Sequence, residues 1–343
     1  MRKRASLLII GLCLLSACVS ETRESSVRTH TGEAEWALLI PDWKNDVVHR
    51  VSRDGRYLGD FLDASRRSAS EVPPRAWQSP RGLLFLPDSA GSLWLAAERG
   101  LSEWAVDGTY RRALVLDSAQ LQDPVAIARV GDEIFVVNED KKNILVFNRA
   151  GERVRSFGYP ELDRATDCKV GPDGMLYVTS SLRHSDQKGL ISVWDPKNKA
   201  DDAKPVRHLV PPAIGDDGGT VALQSLVFDD DGNLIVTHLF RGRVERWSTA
   251  SNTKIAVLLN AGKPGAYKEL ARGPDGLVYV TGTDGVYRFA ANAAPEELAS
   301  LTPFFDAHQI GGRYEHPFSP QSMIFVPTAS LAQSNVANSL TDG

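Results

Sequence analysis

Short apolar runs, each broken by Gly, Asp or Asn, repeat along most of this chain. They are clearest in residues 123–158, where runs at 125–130, 133–137, 143–147 and 153–157 follow one another. The breaks between them are Gly131-Asp132, the polar stretch NEDKKN and Ala150-Gly151. β-rich runs of this length between turn formers predict four antiparallel strands joined by hairpins. One four-stranded sheet cannot bury both of its faces alone, so it needs copies of itself to pack against.

The copies are present. The second strand recurs at 93–96, 134–137, 176–179, 234–237 and 278–281, preceded by turns around Asp88, Asp132, Asp173, Asp231 and Asp275, spaced 44, 41, 58 and 44 residues apart. The third strand carries a large apolar residue in one column: Val51, Trp104, Phe147, Trp194, Trp247 and Phe289. Three positions earlier stand Val48, Leu101, Ile144, Ile191, Val244 and Val286. An offset of three is not strand alternation, and the pattern alone offers no reason for it. Two columns filled six times, with a period of roughly 40–50 residues, predict an all-β, six-bladed β-propeller with four antiparallel strands per blade.

The ends of the chain complete the ring. Runs at 36–40, 46–51 and 56–61 align with strands two to four of the repeat, and the missing first strand is expected at 321–326. The last blade is therefore closed by strands from both termini, which leaves no free sheet edge. The propeller is expected to span 34–328, with a polar tail at 329–343. Insertions are expected at 183–189 and 196–205 in the third blade, and at 302–320 before the closing strand.

Residues 1–17 read as a signal. A basic Arg2-Lys3-Arg4 start precedes an apolar stretch too short to span a bilayer, and then Leu15-Ser16-Ala17-Cys18. This order resembles the lipobox of bacterial lipoproteins, which implies cleavage before Cys18 and its lipidation. Residues 18–33 then form a polar tether. Val19, not Asp, follows the Cys; by the same resemblance the anchor is in the outer membrane if the cell has two. An exported lipoprotein of the cell envelope, with a membrane partner through its lipid, is the expectation.

Composition adds exclusions. The formal charge is −4, and without Arg2, Lys3 and Arg4 the balance is 36 basic to 43 acidic residues, or −7. That is a solvated surface and gives no footprint for nucleic acid. Cys13 and Cys18 lie in the signal and anchor, so Cys168 stands alone, in an apolar run that predicts a buried inert thiol. There is no G-x-S-x-G, no G-x-x-x-x-G-K-[ST] and no G-x-G-x-x-G, so serine hydrolysis, phosphate cradling and dinucleotide binding have no support.

The motifs GPDGMLYVTS and GPDGLVYVTG, each followed by a polar turn and an apolar–aromatic strand, resemble the NHL repeat. Over about residues 34–327 the set resembles the six-bladed superfamily that includes gluconolactonase/regucalcin lactonases, streptogramin lyase and non-enzymatic NHL proteins. That resemblance is specific for fold and much less so for function.

Candidate chemistry gathers at one end of the channel, where the fourth-to-first and second-to-third connections meet. Aligning the first strands gives the column Gly82, Ala126, Asp167, Ser225, Glu269, Ser322. Asp167 and Glu269 among small residues are the candidate ligands for Ca²⁺ or another divalent cation, the one cofactor the column points to. The alternative is ion pairing, since Lys169 lies two residues from Asp167 on the same strand face. Arg81, Asn138, His238 and Lys268 are candidate ligand-binding residues in a mouth of mixed sign, suited to a small polar ligand or a loop of an envelope protein. His184, His308 and His316 fall in connections on the same side, whereas His49 and His208 are expected on outer strands at the surface. Resemblance to the lactonases implies an acidic residue, an Asn and an Asp around one metal. Gly82, Ala126 and Ser322 depart from that, while Asn138 and Asp167 remain. Two functions stay open, a non-catalytic binding propeller and a metal-dependent lactonase or lyase.

Overall fold

The computed structural model describes residues 35–63, 72–87, 91–116, 119–160, 162–181, 190–209 and 222–328. Cys18, His184, Asp88, the signal and tether segments and the 329–343 tail lie outside the described residues. Within them are six four-stranded antiparallel sheets. Blade one comprises β4 (Pro80–Leu86), β5 (Ser92–Ala97), β6 (Gly100–Ala105) and β7 (Tyr110–Val115). Blade two comprises β8 (Pro124–Val130), β9 (Glu133–Asn138), β10 (Asn143–Phe147) and β11 (Arg153–Phe157). Blade three follows with β12 (Ala165–Val170), β13 (Leu176–Ser180), β14 (Ile191–Trp194) and β15 (Arg207–Leu209). Blade four has β16 (Leu223–Phe228), β17 (Leu234–His238), β18 (Arg243–Trp247) and β19 (Lys254–Asn260). Blade five has β20 (Tyr267–Arg272), β21 (Leu277–Gly282), β22 (Gly285–Ala290) and the two-residue β23 (Phe305–Asp306).

Blade six is assembled from both ends, in the order β24-β1-β2-β3, with β1 (Trp36–Asp42), β2 (Val47–Ser52), β3 (Tyr57–Asp63) and β24 (Ile324–Pro327). The closing strand begins three residues later than its sequence pattern predicts, and residues 321–323 lead into it. The segment 302–320 is also not wholly an insertion. It first supplies β23, the outer strand of blade five, and then a helical turn at Ala307–Ile310.

The offset of three in the third strands has a packing reason. An odd offset in a strand places two side chains on opposite sheet faces. Each blade has two such faces and a different neighbour on each. Phe147 lies in the core between blades one and two, and Ile144 in the core between blades two and three. Trp194 and Ile191 repeat this one blade on, as do Trp247 and Val244, and Phe289 and Val286. Trp104 and Leu101, and Val51 and Val48, continue it around the ring. The larger column always faces the preceding blade and the smaller column the following one. The six apolar clusters of the described residues therefore fill the six gaps between blades, which is why no blade is stable without its neighbours.

At the axis the first strands approach closely. A Cβ added to Gly82 would lie 3.2 Å from the Ala126 Cα, so this glycine lets β4 and β8 pack closely. Among the described residues, no helix is long and apolar enough to cross a membrane.

Candidate functional site

Each first strand of blades one to five carries a register shift at its start, at Pro80/Gly82, Pro124/Ala126, Ala165/Asp167, Leu223/Leu226 and Tyr267/Leu270. A bulge removes a backbone group from its ladder and turns a side chain out of the regular alternation. In blades four and five a threonine of the second strand takes up the freed N–H. Ser225 N donates to Thr237 Oγ1 at 3.0 Å, and Glu269 N donates to Thr281 Oγ1 at 2.9 Å. Thr237 Oγ1 in turn donates to the Lys268 carbonyl of the next blade at 2.5 Å. Thr237, which ends the LIVT run, thus joins two inner strands, whereas Thr179 and Thr281 bond the inner strand of their own blade; their recurrence was visible in the sequence, but their purpose was not.

The bulges bring Asp167, Ser225 and Glu269 into one buried network across β12, β16 and β20. Asp167 Oδ1 accepts from Lys169 Nζ at 2.6 Å and Cys168 N at 2.8 Å. Asp167 Oδ2 accepts from Ser225 Oγ at 2.6 Å and Leu226 N at 3.3 Å. Ser225 Oγ also accepts from Leu270 N at 3.1 Å, and Gln224 Nε2 donates to Glu269 Oε1 at 3.0 Å. Burial pushes the Glu269 carboxyl well above its ordinary range, and the Asp167 charge adds to this against the opposing charge of Lys169. Burial draws the Lys169 ammonium down, but Asp167 outweighs it and leaves the ammonium raised.

This arrangement does not suit a hard cation. Such an ion needs several oxygen ligands with free lone pairs, whereas four protein donors already occupy Asp167 and Gln224 Nε2 donates to Glu269 Oε1. Among the described residues no group of three or more His, Cys, Asp or Glu side chains is placed to hold a metal. Cys168 is fully buried and its thiol is pushed up by that burial, then by Asp167.

The other candidate residues divide. Asn138 is buried, and its amide shapes the rim: Nδ2 donates to the Gln120 carbonyl at 3.0 Å and to Asn143 Oδ1 at 3.1 Å, while Oδ1 accepts from Gln122 N at 2.8 Å. His238 is buried within blade four, where Nε2 lies 3.0 Å from Glu245 Oε2. His308 is exposed and lies 2.7 Å from Asp306, and with the exposed His316 it borders a cavity of about 660 Å³ beneath the 307–318 segment.

Arg81 and Lys268 lie at the starts of the inner strands β4 and β20. Arg81 is paired with Asp123 at 2.9 Å, and its guanidinium lies 5.2 Å from the Trp43 ring centroid. Lys44 lies over the same ring at 5.5 Å, so the indole is bracketed by two cations. Lys268 is half-buried and has no carboxylate within ion-pair distance among the described residues. Burial lowers its ammonium; Glu269 opposes this and Lys44 adds to it.

Two buried or half-buried titratable groups escaped the sequence. Glu139, in the polar turn after β9, has a carboxyl raised to about 7 by burial and by the neighbouring Asp123. Its only sequence signal was the acidic NED run on the mouth side. The second feature is His49, which is completely buried, not at the surface as expected; His208 is half-buried. His49 Nε2 lies 3.4 Å from Asp42 Oδ2 and Nδ1 lies 3.1 Å from Asp60 Oδ1. The Tyr57 and Tyr314 hydroxyls both donate to Asp60. The segment after β23 covers this network, because Tyr314, Ser319 and His316 bond to Asp60, Asp42 and Asn45 respectively. An outer-strand histidine is surface only where nothing folds over it.

No protein-family model matches the chain, and no curated protein matches it in sequence. Solved structures do share its fold. A chain of the nidogen/laminin complex is 17% identical with a TM-score of 0.61, over 84% of this chain and 98% of that one. A Bacteroides fragilis protein provisionally assigned as a 6-phosphogluconolactonase is 16% identical with a TM-score of 0.52, over 86% and 99%. The virginiamycin B lyase of Staphylococcus aureus is 14% identical with a TM-score of 0.50, over 77% and 86%. At these identities the likeness is one of fold.

Proposed function

We propose that this chain is a non-catalytic, NHL-like binding propeller, held at the cell envelope by a lipid on Cys18, which reads an anionic group of a small ligand or envelope partner at the channel mouth. Lys268 carries this reading. It is a half-buried ammonium without a paired carboxylate among the described residues, within electrostatic reach of Lys44, and both Lys44 and Arg81 lie over the Trp43 ring. Cations and an aromatic surface at a concave rim recognise a planar or sugar carboxylate through charge-assisted hydrogen bonds and stacking. The carboxylates deeper in the channel are occupied by the protein itself and are left out of this role.

A second reading, a lactonase or lyase, rests on Glu139. A carboxyl raised to about 7 at the mouth is matched to general acid–base work near neutral pH. It needs no metal at Asp167.

Titration of the purified full chain with a galacturonate trimer, followed by Trp fluorescence, tests the first reading. Saturable binding that Lys268→Met weakens at least about tenfold is expected, with no turnover of gluconolactone above background. Turnover that Glu139→Gln abolishes would replace the binding reading with the enzymatic one. For the anchor, Cys18→Ser is expected to move the protein from the membrane fraction to the soluble fraction, and unchanged membrane retention rejects it.

A further inference from the structure

The opposite end of the channel carries a different kind of site. Two residues beyond the Asp167 column, the inner strands contribute Leu84, Ala128, Lys169, Val227, Ala271 and Ile324. Five of these are aliphatic and one is a lysine. Beyond this ring, on the side of the first-to-second connections, lies a cavity of about 690 Å³. Phe85, Val170, Phe228 and Phe325 form its apolar walls, all half-buried, and Lys169 reaches it with a side chain 33% exposed.

The charges around the cavity are unequally answered. Arg272 is paired with Asp230. Asp229 accepts from Asn233 Nδ2 at 3.1 Å and from two backbone N–H groups, and lies 3.4 Å from Arg246. Lys169 differs. An ammonium has three donors, and among the described residues only Asp167 takes one. Asp167 shares its charge with three other donors, Cys168 N, Ser225 Oγ and Leu226 N. Asp167 more than offsets the cost of burying this ammonium, yet two of its three donors are left for another acceptor. A second acceptor arriving from the cavity would complete its coordination, and the walls would bury whatever apolar body came with it.

We propose that this cavity binds an amphipathic carboxylate, with its head on the Lys169 ammonium and its apolar body against Phe85, Val170, Phe228 and Phe325. The polar group must be an acceptor, because Lys169 offers only donors. It must carry an apolar body, because five of the six ring positions and the cavity walls are hydrocarbon. The volume is that of a site for a ligand of roughly drug size. The site lies at the other end of the channel from Lys268 and Trp43, so it stands or falls independently of the mouth.

Calorimetric titration of the purified full chain, in detergent-free buffer, with decanoate, decanol and decyltrimethylammonium tests this. Decanoate is expected to bind at least about tenfold more tightly than decanol, since a charge-assisted hydrogen bond separates them, and decyltrimethylammonium more weakly than either. The double variant Asp167→Asn/Lys169→Met removes both charges together, so neither is left buried without its partner. It should bring decanoate down to the affinity of decanol while leaving decanol unchanged. Equal affinity for all three probes, no binding by the folded protein, or a decanoate preference that survives in the double variant would overturn the proposal. Should the double variant fail to fold, Val170→Trp decides: filling the cavity from its half-buried wall must abolish decanoate binding, and undiminished binding refutes the site.

Discussion

Replacing His49 by Ala should be among the more damaging single changes in this protein. The imidazole lies between two carboxylates, Asp42 at 3.4 Å and Asp60 at 3.1 Å, and its side chain is inaccessible. Its pKa is raised: burial opposes the charged form, but the hydrogen bonds and charges of Asp42 and Asp60 outweigh burial. Removing one member of a buried charged set costs about 3–5 kcal/mol, because the partners stay buried without compensation. Here the lower end applies. Asp60 keeps the two tyrosine hydroxyls, and Asp42 keeps Asn45 Nδ2 at 2.9 Å and Ser319 N at 3.2 Å. At about 2–4 °C per kcal/mol for a domain of this size, a loss of about 3 kcal/mol lowers the Tm by about 6–12 °C.

The pH dependence has a defined sign. His49 titrates above the usual 6.5 when folded, so its contribution is complete below 6.5 and is lost as pH rises through the raised value. Asp60 is moved from 3.8 to about 2; burial opposes this, and His49, Tyr314 and Tyr57 overcome it. Its contribution, about 2 kcal/mol, is present above 3.8 and is lost as pH falls toward 2. Asp42, whose burial is likewise outweighed by His49 and Asn45, acts in the same direction. Circular-dichroism melts of parent and His49→Ala across pH 3–9 should show the largest difference between about 4 and 6.5 and a smaller one at pH 9. Adding Asp60→Asn to His49→Ala should recover part of the loss. A His49→Ala Tm within about 2 °C of the parent at pH 6 would refute the reasoning, as would a difference that does not shrink toward pH 9.

Two further outcomes follow from the ring. Asp167→Asn keeps the shape but removes the charge opposite Lys169, so it should cost about 2–4 kcal/mol equally with and without EDTA in thermal melts; a loss confined to metal-loaded protein would restore a cation at Asp167 and Glu269. Ending the chain at residue 320 removes β24, the innermost strand of blade six, whose Val326 is fully buried, and should give aggregation or loss of cooperative unfolding in light-scattering and melting assays. A 1–328 truncation should melt like the full chain, and a soluble, cooperative 1–320 protein would contradict the closure.

The blade number, the four strands per blade and the closure by both termini were all legible in the sequence. They follow from local periods, and a strand with period two and turn residues at fixed spacing specifies its own sheet. The Asp167–Lys169 pair was legible for the same reason, since residues two apart share a strand face. The third-strand offset of three could be seen but not explained until the blades were set side by side, because its cause is a different neighbour on each face. His238 and Asn138 have sequence positions that place them at a mouth, yet the first is drawn inward by Glu245 and the second is consumed in shaping the Gln120–Gln122 loop. Whether a side chain at a strand end turns to solvent or into the protein depends on partners distant in the chain. His49 is the fullest case. Its neighbours Asp42 and Asp60 are cross-strand, and its cover comes from Tyr314 and Ser319, more than 250 residues away, so only the closed ring decides that it is buried.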